Sequence, residues 1–188
     1  MRLKILLPVS ILAIGLLVLF WAFYPPSISA DLSLSTSPEA ISRGEYLVTA
    51  GGCVSCHKGD EDSQALSGGH GLATDFGTFY APNITPDLET GIGDWQARDF
   101  IAALKHGRTP SGSFYFPAFP YRAYGGLTDQ NALDIGSYLM SLAPINNQVG
   151  DPETPIWLSR WAVAGWNIMA EIAEPQTPEF EDPAVARG

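Results

Sequence analysis

The spacing of apolar and polar positions divides the chain into segments of different character. From Ile5 to Phe23 there is no charge and almost every side chain is apolar. That run approaches the ~20 residues a helix needs to span a bilayer. Arg2 and Lys4 precede it, and Trp21 and Tyr24 stand at its end, where interfacial aromatics belong. The pattern predicts a transmembrane helix over 1–24 that keeps the N-terminus in the cytoplasm and exports the rest. A cleaved signal peptide is the competing reading, with Ile28-Ser29-Ala30 as a small-residue cleavage site.

Helical periodicity returns after a linker at 25–36. Ser37 is a helix cap, Pro38 suits the first turn, and Glu39 favours the N-terminal dipole. Ile41, Leu47 and Val48 give the helix an apolar side, and Gly51-Gly52 ends it. Residues 58–93 are rich in Gly, Pro, Asn and Asp and read mostly as loop. Asp94 then caps a helix in which Trp95, Phe100, Ile101 and Leu104 share one side, closed by Gly107. A further helix is capped by Thr128 or Asp129, packs Leu133, Ile135, Tyr138, Leu139 and Leu142, and stops before Pro144. Between these two helices lies FPAFPY (Phe116–Tyr121), stiffened by two prolines and unsuited to a helix or a central strand. Beyond a linker at 145–156, Trp157, Trp161, Ala164 and Ile168 recur at helical spacing. This segment reads either as packing back on the domain or as docking on a partner or membrane surface. The acidic, proline-rich end of the chain reads as disordered.

At 188 residues the chain has room for one ordinary domain plus appendages. Its net charge of −10 argues against a nucleic-acid partner and favours a basic protein partner. Only two cysteines occur, Cys53 and Cys56, and both lie in CVSCH (Cys53–His57). Cys-x-x-Cys-His is the attachment pattern for c-type haem. The spacing lets two thiols reach the two vinyl groups of one porphyrin, and the adjacent His57 then lies under the iron as its proximal ligand. Zinc would need further ligands from His70 and His106, and exported thiols rarely stay free for it. One CxxCH implies one covalent haem c. The expected fold is all-α and cytochrome c-like, with three or more short helices and long loops around the haem at 37–144. The transmembrane helix precedes that domain, and 145–188 follow it as linker, Trp-rich segment and disordered acidic tail.

RGEYLVTAGGCVSCH, FGTFYAPNITPDLETGIGDW, DFIAALKHG, YFPAFPY and LTDQNALDIGSYLMSLAP together resemble the membrane-bound cytochrome c subunits of periplasmic bacterial dehydrogenases for alcohols, gluconate and related sugars. RWAVAGWN resembles the segment that follows the first haem domain in those subunits. They usually carry three haem domains, and this sequence has one. The resemblance implies a membrane-bound carrier of single electrons, not an enzyme. Its haem would face the periplasm, between a dehydrogenase or quinol-oxidising complex and a downstream cytochrome or oxidase. In many members the stiff loop reads PAMPY and the methionine sulfur is the sixth iron ligand; here that position is Phe119. His106, Met169 and an open position rank together as replacements, ahead of His70 and Met140. An open position would suit a haem enzyme or a protein that binds gas or peroxide.

Overall fold

The computed structural model describes residues 13, 15–17, 20, 24–58, 65–155 and 157–173. Helix α1, Pro38–Ala50, begins where the Ser37 hydroxyl accepts the Ala40 N–H at 3.2 Å. It ends at Gly51, whose N–H donates to Leu47 O. A five-residue helix, α2 (Cys53–His57), follows at once. Helix α3, Ala97–His106, starts two residues later than a cap at Asp94 predicts. The Asp99 carboxylate reaches back to accept the Gln96 N–H at 2.8 Å, and Trp95 packs edge-on against Phe100 with ring centroids 5.3 Å apart. An acid at the third helical position and an apolar pair bracketing the start define this terminus better than Asp94 does. The stiff loop leads into α4, the single turn Tyr121–Tyr124. Helix α5, Asp129–Ser141, is capped by Thr128, whose hydroxyl accepts the Asn131 N–H at 3.1 Å. Helix α6 runs Arg160–Ala173, so Trp157 stands before it.

Helices α1 and α5 cross at Gly44. A Cβ there would lie 2.0 Å from the Asp134 carbonyl oxygen and 2.7 Å from Tyr138 Cβ, so only glycine permits this approach. Asp134, 1 % exposed, accepts from Arg43 Nε at 2.6 Å and Nη2 at 3.1 Å across the same crossing, and from Gln130 of its own helix at 2.9 Å. The main core joins Val48 of α1, Leu66, Ile92, Phe100 of α3, and Ile135 and Leu139 of α5. A second cluster joins Ala97, Ile101, Ala132 and Leu133. Ile28, Leu32 and Leu34 of the extended segment before α1 pack on it, so residues expected as a linker contribute to the core. These elements belong to one unit, Tyr24–Val163; Met1–Phe23 and Ala164–Gly188 belong to another.

Two expectations are corrected. The domain is not all-α: β1 (Gly71–Thr74) and β2 (Gly77–Tyr80) form an antiparallel hairpin with Gly71 opposite Tyr80 and Thr74 opposite Gly77. Thr78 exchanges backbone hydrogen bonds with Glu153 on its other side. A Cβ on Gly77, at φ 113°, would sit 2.1 Å from the Glu153 carbonyl oxygen. The hairpin escapes a pattern reading because β1 is exposed throughout and β2 is half-buried throughout, so neither alternates. The second correction concerns the transmembrane helix expected over 1–24. Among the described residues no helix is long and apolar enough to cross a membrane. The longest helix whose full extent is described, α6, has 14 residues, against ~20 for a span. Most of 1–23 lies outside the described residues, as does the tail from 174 expected to be disordered.

Candidate haem-attachment site

The attachment pentapeptide is presented by a turn that only part of the sequence could specify. Gly52 adopts φ 68°, a left-handed conformation that glycine takes at little cost, and the chain turns there from α1 into α2. Within α2, Cys53 and Cys56 are three residues apart and therefore share a face. They are not bridged to each other. Cys53 is half-buried and packs against the main core, while Cys56 is exposed. Burial pushes the Cys53 thiol up, the opposite of the lowered value that marks a thioredoxin-like pair. The zinc alternative fares no better. Among the described residues, which include all three histidines and both cysteines, no three His, Cys, Asp or Glu side chains converge to hold a metal.

His57 closes α2 with its ring held from one side. Its Nδ1 lies 2.8 Å from the Pro82 carbonyl oxygen. A carbonyl can only accept, so Nδ1 carries the proton and the lone pair is on Nε2. Burial pushes His57 below its ordinary value, opposed by the Pro82 bond, so the ring is neutral at neutral pH. Its main-chain carbonyl accepts the Gly68 N–H at 2.7 Å. A neutral imidazole with one nitrogen anchored to a carbonyl and the other available is the donor arrangement of a metal-ligating histidine. Together with two thiols on one helical face, it fits a covalently attached haem.

The stiff loop leads into α4, which touches the chain just before the attachment turn. Phe119 N–H donates to Phe116 O at 3.0 Å, and Tyr121 N–H to Phe119 O at 2.8 Å. The Phe119 ring sits within an aromatic group, 5.6 Å from Tyr115, 6.1 Å from Tyr121 and 5.9 Å from Tyr124 by centroid. Burial pushes the Tyr115 phenol up to about 12, so it is neutral. Tyr124 donates its hydroxyl to Gly51 O at 2.8 Å, tying the aromatic group to the residue before the attachment turn. The other ligand candidates are dispersed. Met140 packs against the main core from α5. His106 is exposed at the end of α3, where partial burial and then Lys105 push it below its ordinary value. His70 is exposed beside the hairpin, and Met169 is 71 % exposed on α6.

A cytochrome c family model matches residues 41–143, from α1 through α5. The chain belongs to the cytochrome c family. A cytochrome c carries a covalently bound haem, whose iron exchanges one electron at a time, and Cys53 and Cys56 fit its attachment. Among curated relatives, a protein named as a diheme cytochrome c-type of Cereibacter sphaeroides is 38 % identical over 156 residues, covering 80 % of this chain and 52 % of the relative. The gluconate 2-dehydrogenase cytochrome c subunit of Pantoea cypripedii is 40 % identical over 152 residues, covering 79 % and 34 %. The fructose dehydrogenase cytochrome subunit of Gluconobacter japonicus is 37 % identical over 135 residues, covering 71 % and 28 %. The chain thus spans from about half to under a third of the length of these relatives. They are named as cytochromes, two of them as subunits beside a dehydrogenase, so this cytochrome c resembles electron carriers and not the catalytic partner.

Sequence reasoning missed two residues of the site. The Pro82 carbonyl is a backbone group, invisible in side-chain chemistry; only its place in an unusually specific stretch pointed towards it. Tyr124 carries no motif of its own; its one signal is its position just after the stiff loop.

Proposed function

We propose that this chain carries single electrons between a periplasmic dehydrogenase or quinol-oxidising complex and a downstream cytochrome or oxidase. Cys53 and Cys56 attach the haem, and His57 holds its iron through Nε2. The observation that carries this reading is the His57 Nδ1 bond to Pro82 O, which leaves the other ring nitrogen as a donor beside the two thiols. The names of the relatives support a dehydrogenase as the donor. The chain's acidic balance, −10 overall, suits a basic partner surface and encounter rates that fall with ionic strength. The haem domain works on the periplasmic side.

The test is chemical. Purified protein extracted with acid acetone should retain its haem, and a pyridine haemochrome spectrum should show two saturated thioether links. Cys53→Ala and Cys56→Ala should each remove one link, and His57→Ala should change the spectrum and the reduction potential. Wild-type protein without covalent haem, or a His57→Ala variant with unaltered spectrum and potential, refutes the reading. Protease treatment of spheroplasts tests the location: the haem domain should be digested while the membrane remains intact.

A further inference from the structure

The stretch Asn83–Gly93, NITPDLETGIG, is the most distinctive of the sequence, yet none of its side chains takes part in the attachment chemistry described so far. Its structure is a knot of short hydrogen bonds around one buried amide. Asn83 is 2 % exposed. Its Nδ2 donates to Ile145 O at 2.7 Å and to Thr90 Oγ1 at 3.0 Å. Its Oδ1 accepts from Thr85 N at 2.9 Å and from Thr85 Oγ1 at 2.8 Å. Both amide protons and both acceptor positions are therefore used, the full capacity of the group. Thr85, 1 % exposed, also receives the Ile145 N–H at 3.1 Å. Thr90 Oγ1 donates to Asp87 Oδ1 at 2.8 Å and accepts the Asn147 N–H at 3.0 Å.

The knot returns to the histidine by a second route. Asn147 Nδ2 donates to Ser67 O at 3.0 Å and to Gly68 O at 3.3 Å. Gly68 N–H in turn donates to His57 O at 2.7 Å. The 66–68 and 82–84 strands of chain touch directly: Ile84 N–H donates to Leu66 O at 3.0 Å, and a Cβ on Gly68 would lie 2.5 Å from the Pro82 carbonyl carbon. A closed circuit results. It leaves His57 through its ring to Pro82, passes Asn83, Thr90, Asn147 and Gly68, and re-enters His57 through its main chain.

We propose that Asn83 is a positioning residue for His57: by fixing the peptide that carries Pro82 O, it sets the orientation of the imidazole and its strength as a donor. This rests on His57 being the iron ligand. A carbonyl held on Nδ1–H makes the opposite nitrogen a stronger donor, which favours the ferric state and lowers the potential. A circuit with no spare hydrogen bond resists the small displacements that would weaken that contact.

The experiment uses the full chain with its haem. Asn83→Ala and Thr85→Val should raise the reduction potential and speed solvent exchange of the His57 Nδ1 proton, read by NMR of the reduced protein. Thr85→Ser keeps the hydroxyl and should restore both readouts to the wild-type values. Leu133→Ala, in the second cluster away from the knot, should lower stability while leaving potential and exchange unchanged. If Asn83→Ala fails to mature, the Thr85 pair decides alone. Loss of stability in Thr85→Val with potential and proton exchange unaltered would overturn the proposal and make the knot merely structural. Failure of the underlying reading would look different: wild-type protein would lack covalent haem, or His57→Ala would leave spectrum and potential unaltered.

Discussion

Where α1 and α5 cross, contact is made largely by apolar side chains and by a glycine that admits a backbone within touching distance; around Asn83, Thr85, Thr90 and Asn147 it is made by hydrogen-bonding groups. The first region buries Val48, Phe100, Ile135 and Leu139 and draws its stability from surface removed from water. The second buries Asn83, Thr85 and Ser67, whose transfer from water is unfavourable unless every group is paired. Burying them stabilises little, but a fully paired polar knot tolerates few alternative geometries. The helices thus supply stability, and the loop supplies the position of one carbonyl at the histidine.

This comparison is most sharply tested in the helical frame. Phe100, 1 % exposed, packs against Trp95 and beneath Gly136. Phe100→Ala should cost about 3–5 kcal/mol, measured by chemical denaturation, with little change in reduction potential. A loss below about 1 kcal/mol would mean that the helical core is not the seat of stability. The loop counterpart is Thr90→Val, which leaves Asn83 Nδ2 and Asn147 N–H each short of an acceptor. It should cost about 1–3 kcal/mol, and unlike the core variant it should shift the potential. A helix terminus should matter less. Ser37→Ala removes the acceptor of the Ala40 N–H and should cost about 1 kcal/mol, with Ser37→Gly costing only a few tenths.

The same division explains what could be read from the residues alone. Ser37, Thr128, Gly51 and the apolar spacing of α1 and α5 are local, periodic signals, and the structure uses them as expected. The attachment pattern of Cys53 and Cys56 was legible because its chemistry demands that spacing. The loop was not legible because its order is non-local: Asn83 finds Ile145, and Asn147 finds Gly68, across spans that no periodicity links. The hairpin was hidden for a related reason, since its third partner, Glu153, lies far along the chain. Asp94 looked like a cap and was not, because Asp99 and Trp95 together define a better helix start. The apolar N-terminal run was read as a span from its hydropathy, its leading Arg2 and Lys4 and its closing Trp21 and Tyr24, and no described helix is long and apolar enough to cross a membrane.

The smallest expected effect concerns the one ionised group buried in the helical region. Burial alone would raise the Asp134 carboxyl, but the hydrogen bonds from Arg43 and Gln130 outweigh it and hold the group below its ordinary value. A carboxyl that is more acidic in the folded protein contributes stability that is complete above its unfolded value, about 3.9. That contribution is lost as the pH falls through the lower folded value. Wild-type protein should therefore be more stable than Asp134→Asn at neutral pH, and the gap should narrow on acidification below about pH 4. Asp87, also held below its ordinary value by the hydroxyl and N–H of Thr90, is unchanged in both proteins and cancels from the difference. Denaturation curves of the two proteins at several pH values between neutrality and about pH 3 make the measurement. A gap that stays constant with pH would show that Asp134 acts through shape and not charge. The Arg43 contact, exposed on its guanidinium side and buried on its carboxylate side, would then contribute little through its charge.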